Sequence, residues 1–83
     1  MAIISINHIV DVNHLVEDAG LPYKVHLSDA CGRQSCWVEE LAAPASDDEK
    51  AASLTRLHDL LSGYFRPRRI TLEFAEDGMR FWA

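Results

Sequence analysis

Cysteine, proline and positive charge are all scarce in this chain, and each scarcity excludes something. Two cysteines, Cys31 and Cys36, among 83 residues permit one bridge at most. That rules out the disulfide-dense scaffolds of small secreted domains. With neither a C-x-x-C nor an H-x-x-x-H pair, the usual spacing of a closed zinc site is missing too. Eight Lys and Arg face thirteen Asp and Glu, a formal charge of −5. Nucleic acid is therefore a disfavoured partner, because affinity for phosphate rests on cations that release counterions. No stretch approaches the ~20 apolar residues of a membrane span. The first residues lack the basic, apolar and small-residue segments of a signal peptide. The expectation is a soluble cytoplasmic protein with reduced thiols and no membrane partner.

What is present is an ordinary globular composition, 48% hydrophobic and 25% charged, without low-complexity tracts. The length predicts a single domain over residues 1–83. A chain of this size buries only about 60 to 65% of the surface its unfolded form exposes. Global stability is then on the order of 4 to 12 kcal/mol, and a homodimer would hide further apolar surface.

Ala2 to Ile6 reads as a short strand. Asn7 is placed to cap a helix whose apolar positions Ile9, Val12, Val16 and Ala19 recur at helical spacing, flanked by Val10 and Leu15. Gly20 suits the left-handed position beyond that helix, with Leu21 folding back on Val16 and Pro22 preventing continuation. Tyr23 to Ser28 alternates, with Tyr23, Val25 and Leu27 on one face and Lys24, His26 and Ser28 on the other. A hairpin centred between Arg33 and Gln34 would set Cys31 opposite Cys36, Asp29 opposite Val38 and Ala30 opposite Trp37. Ser46-Asp47-Asp48-Glu49 spells a capping box for a second helix with Leu54, Leu57 and Leu61 as its buried stripe and Gly63 as its end. Ile70, Leu72 and Phe74 alternate inward before an Asp77-Gly78 turn that pairs Phe74 with Phe81. The expected architecture is α+β: two layers, a mostly antiparallel sheet with two helices on one face, in the order β-α-β-β-α-β-β, two helix-hairpin units in succession.

Few residues offer chemistry. Cys31, Cys36, Asp29 and His26 cluster in sequence at the first hairpin tip. Directly opposed strand residues lie close enough for a disulfide, and the same closeness suits a metal. Two thiols are half a tetrahedral set, however, and the remaining ligands would have to come from His26, His8, His14, His58 or Asp29. Arg33 and the turn amides would lower a thiol pKa, whereas Asp29 would raise it. His26, the nearest base, is turned to the opposite face by strand parity. The leading reading is that both cysteines are small hydrophobes. Arg66, Arg68 and Arg69, with Tyr64 and Phe65, form a candidate anion patch, weighed against a plain helix C-terminus where cations are favoured. Trp37 and Trp82, with Arg80 and His26 nearby, fall on the sheet face away from the helices, where aromatic side chains serve as interface anchors. No cofactor is called for.

The run Asp29-Ala30-Cys31-Gly32, followed by Gln34-Ser35 and Trp37, resembles the RDAC family of small bacterial proteins without an assigned function. The likeness extends from the Ile-Ser-Ile-Asn stretch through Lys24-Val25-His26-Leu27 to the terminal hairpin. Here Ser28 stands where the family's naming tetrapeptide has arginine, which removes a partner for Asp29. The family also accepts an aromatic at the position of Cys36, which argues against a paired-cysteine mechanism. The resemblance implies a bacterial cytoplasmic protein and no activity. The sequence as a whole points to a non-enzymatic domain that binds itself or another protein through the tryptophan-bearing face, with thiol or metal chemistry as the alternative.

Overall fold

The computed structural model of the protein describes residues 3–30 and 33–83, with the side chains of all of these except Asp29, Ala30 and Arg33. The elements are α1 (Ile6–Asp18), β1 (Tyr23–Ala30), β2 (Arg33–Glu40), α2 (Asp47–Phe65), a 3-10 turn (Arg66–Arg68), β3 (Glu73–Phe74) and β4 (Arg80–Trp82). The fold is α+β, with two helices and one four-stranded sheet in the order β1-β2-β4-β3, every neighbouring pair antiparallel.

The first expected strand is not a strand. Ala2 lies outside the described residues, Ile3 to Ser5 are irregular, and Ile6 already opens α1. Ser5, not Asn7, is the cap, because its Oγ accepts the His8 N–H (3.2 Å) while His8 Nδ1 accepts the Ser5 N–H (3.1 Å). A histidine thus fills the role that Glu or Gln plays in the usual reciprocal box. Ile4, 1% exposed, needs no neighbouring strand. The Gln34 side-chain amide receives its N–H (3.0 Å) and donates to its C=O (2.8 Å).

α1 ends as its sequence suggests. Gly20 sits at φ +72, its N–H bonds to Glu17 C=O, and Leu21 N–H reaches back to Val16 C=O. This six-to-one closure satisfies carbonyls the helix would otherwise leave open. α2 departs from expectation by running through Gly63 to Phe65, since a lone glycine costs a helix only about 1 kcal/mol. Its start is capped by Ser46 Oγ on the Glu49 N–H, but Glu49 returns to the Ala45 N–H and not to Ser46. The chain leaves α2 through Pro67, and Arg69 at φ 61 repeats the bonding seen at Gly20: Arg69 N–H to Arg66 C=O, Ile70 N–H to Phe65 C=O. The two helix exits therefore match, at Gly20 and Arg69.

The hairpin register also differs from the expected one. Ala30 pairs with Arg33, so Cys36 faces Leu27, Val25 faces Val38 and His26 faces Trp37. Each residue's partner has shifted by four positions, an even shift that leaves the described side chains on the faces assigned from alternation. The expected Cys31–Cys36 and Asp29–Val38 pairings are replaced. In the second hairpin Phe74 pairs with Phe81 as the turn signal requires. Gly78 there has φ +74, and a Cβ would lie 2.9 Å from the His58 ring, whose Nε2 is 2.9 Å from the Gly78 carbonyl oxygen.

Ile9, Val12 and Val16 of α1, Leu57, Leu61 and Phe65 of α2, and Val25, Cys36, Val38 and Phe81 of the sheet form one buried cluster. The β1 end of the sheet is held by Asn13 on α1, whose Oδ1 accepts the Val25 N–H (2.7 Å) and whose Nδ2 donates to the Val25 C=O (2.9 Å). Asn13 thus does for β1 what a further strand would do. Asn13→Ala should lower unfolding free energy by about 1 to 3 kcal/mol, because both peptide groups lose their partners. A urea denaturation midpoint equal to wild type would contradict this.

Candidate functional site

The sheet face opposite the core carries Lys24, His26 and Ser28 from β1, Ser35, Trp37 and Glu39 from β2, Arg80 and Trp82 from β4, and Glu73 from β3. This follows from the registers Lys24↔Glu39, His26↔Trp37, Trp37↔Arg80 and Glu73↔Trp82. Trp37 is therefore flanked directly by His26 on one side and Arg80 on the other. Trp82, two residues along β4 from Arg80, is its diagonal neighbour, a spacing of about 7 to 8 Å.

The side chains on this face are ordered by one another. The His26 ring stacks on Trp37 with centroids 4.2 Å apart and planes 20° from parallel. Its Nε2 lies 2.8 Å from Glu39 Oε1. Trp82 Nε1–H donates to Glu73 Oε2 at 2.7 Å. Both indoles stay open, Trp37 at 43% and Trp82 at 36% exposure. Rings fixed in place lose little further freedom on docking, which favours them as contact residues.

Of the thiol and metal candidates, Cys36 and His26 lie on opposite faces of the sheet. Cys36 is a free thiol with no exposed surface, directed into the core, and burial pushes its pKa up to about 11. A nucleophile needs the opposite shift. His26 lies on the opposite face, as its parity required, and is engaged by Trp37 and Glu39. Cys31 lies outside the described residues, as does the side chain of Asp29. Among the described residues no group of three or more His, Cys, Asp or Glu is placed to hold a metal.

Arg66, Arg68 and Arg69 are all exposed. Arg68 lies 3.8 Å above the Tyr64 ring and donates to the Tyr64 C=O at 2.6 Å, so it caps the end of α2. Arg66 and Arg69 are exposed and make no ion pair among the described residues. The Tyr64 hydroxyl donates to Asp11 Oδ2, joining α2 to α1, and its pKa is raised, first by burial and then by that bond. Arg68 is thus engaged at the end of α2, where the helix dipole favours a cation.

A shallow hollow of about 460 Å³ lies where β1 begins, between Glu17, Leu21, Tyr23, Lys24 and Leu41. Sequence reasoning missed the two amide clamps, Asn13 on Val25 and Gln34 on Ile4. A polar residue at such a position looks like surface until the fold brings a peptide group to it. Compared with family models, curated proteins and solved structures, the chain finds no match. No helix among the described residues is long and apolar enough to cross a membrane.

Proposed function

We propose that this chain is a small non-enzymatic interaction domain whose outer sheet face, centred on Trp37, Trp82 and Arg80, packs against a second copy of itself. The observation that carries the reading is the pair of exposed, immobilised indoles set diagonally on adjacent strands. Two-layer packing with both helices on the core side leaves this face unpaired within the monomer. Its charges favour a second copy. Lys24 and Arg80 are matched in number by Glu39 and Glu73, so the face carries no excess of either sign to repel a second copy. A net charge of −5 counts against nucleic acid on the same surface. The RDAC resemblance is compatible with a domain of this kind and adds no chemistry to it.

Trp37→Ala and Trp82→Ala should each weaken this association at least about tenfold, equivalent to ~1.4 kcal/mol. Sedimentation equilibrium over a concentration series measures it, and circular dichroism checks that the variants remain folded. A wild-type chain that stays monomeric throughout, or tryptophan variants that associate as tightly as wild type, would remove this face as the contact.

A further inference from the structure

A second contact surface lies at the edge of the sheet, and it uses backbone as well as side chains. β1 is an outer strand of eight residues, and the ladder parity is set by two observations. Leu41 N–H bonds to Pro22 C=O across to β1, while the Val25 peptide groups point the other way, to Asn13. The odd-numbered residues of β1 therefore direct N–H and C=O away from β2. Val25 is taken by Asn13. Leu27 and Asp29 have no hydrogen-bond partner for these groups among the described residues.

α1 lays an apolar stripe along the same edge. Ile6, Val10 and Asn13 follow i, i+4, i+7 and so share one side of the helix. Because Asn13 meets Val25, Val10 and Ile6 lie about 4.5 and 10.5 Å further along the helix axis, level with the Leu27 and Asp29 region of the returning strand. Ile6 is 65% exposed and Val10 48%, with Ile3 at 64% just before the helix. Beyond the Asn13 clamp, the strand holds no proline, and its lysine, Lys24, sits at the far end.

From this juxtaposition of an open backbone edge and an exposed apolar helix flank, we infer that β1 pairs edge to edge with β1 of a second copy, about a two-fold axis at Ser28. In that register Leu27 faces the partner copy's Asp29 and Asp29 its Leu27, so the N–H and C=O of both residues are satisfied in both copies while the Asn13–Val25 clamp stays intact. The two Ile6–Val10 flanks then meet below a continuous eight-stranded sheet, and the axis makes the contact self-complementary. The outer face with Trp37 and Trp82 remains free, so this contact is independent of the sheet-face reading. A chain using both surfaces assembles beyond a dimer.

The test combines sedimentation velocity with amide hydrogen exchange on the full chain in dilute and concentrated solution. Wild type should assemble beyond a dimer, with the Leu27 and Asp29 amides protected only when concentrated. The Trp37→Ala/Trp82→Ala double variant should stop at a dimer that keeps that protection. The Ile6→Lys/Val10→Lys variant, changed only at exposed positions, should stop at a dimer that has lost it. Asp29→Pro deletes one outward N–H without touching the β1–β2 ladder and should act alike. If Leu27 and Asp29 exchange equally fast in dilute and concentrated wild type, or if both edge variants assemble as wild type does, edge pairing is overturned whatever the tryptophan variants do. A wild-type dimer with protected amides would keep the edge contact and remove the sheet-face one.

Discussion

Replacing Phe65 by alanine should leave the chain at the border of unfolding. Phe65 has no exposed surface and is among the largest fully buried side chains of the core. It closes the corner where α2 ends over the start of α1. The His8 ring meets it edge-on at 5.6 Å and the Tyr64 ring at 5.0 Å, while its carbonyl accepts the Ile70 N–H that terminates the helix. Phenylalanine-to-alanine changes at such sites cost about 3 to 5 kcal/mol, from lost transfer energy and from the cavity left behind. Against a total on the order of 4 to 12 kcal/mol for a chain of this size, little remains. Urea unfolding should show a midpoint much reduced from wild type with an unchanged slope. A loss below about 1 kcal/mol would mean that neighbouring side chains refill the space, contrary to close packing here.

Cys36 should be nearly inert in the folded chain and should make the fold sensitive to alkali. With its pKa raised by burial from 9.0 to about 11, the thiolate fraction at pH 8 falls about a hundredfold below that of an unfolded cysteine. Exclusion of reagent from the core slows reaction further. In a Cys31→Ser background, labelling should be at least about 100-fold slower in buffer than in denaturant. The same shift is a stability statement. The folded chain holds the Cys36 proton more tightly than the unfolded chain, so its contribution is complete below pH 9 and is lost as pH rises toward 11. The loss is of order 2 kcal/mol, and Cys36→Ala should abolish that part of the pH dependence. Rapid labelling under native conditions would restore the reactive-thiol alternative.

These expectations show where side-chain pattern was informative and where it was not. Alternation assigned the described side chains of the first hairpin to their correct faces, although the register was displaced. Faces depend only on parity, while register depends on the turn, and the segment from Cys31 to Ser35 contains several residues able to make one. In the second hairpin the Asp77-Gly78 signal placed Phe74 on Phe81, although the strand before it is only Glu73–Phe74 and the turn closes from Gly78 N–H to Ala75 C=O. Gly20 announced the end of α1, but Gly63 did not end α2, since a glycine can stay helical and Arg69 took the left-handed position instead.

The sheet-face candidates were visible for the same reason as the faces. Trp37, His26, Trp82 and Arg80 share a side by parity alone. Their mutual fixing, His26 stacked on Trp37 and bonded to Glu39, Trp82 bonded to Glu73, depends on which strands become neighbours. The cysteine candidates illustrate the converse: closeness in sequence suggested a site, yet Cys36 is a core residue, drawn inward by its place on the apolar face.

The amino-acid sequence by itself determined the fold class, the two helices, the two hairpins and the inward set of side chains, because capping residues, periodicity and turn chemistry act over a few neighbouring residues. The tertiary structure alone decided the strand order β1-β2-β4-β3 and the capture of Ile4 by Gln34 and of Val25 by Asn13. Those arise because every buried peptide group must find a partner. Which partner it finds is settled only when segments far apart in the chain are brought together.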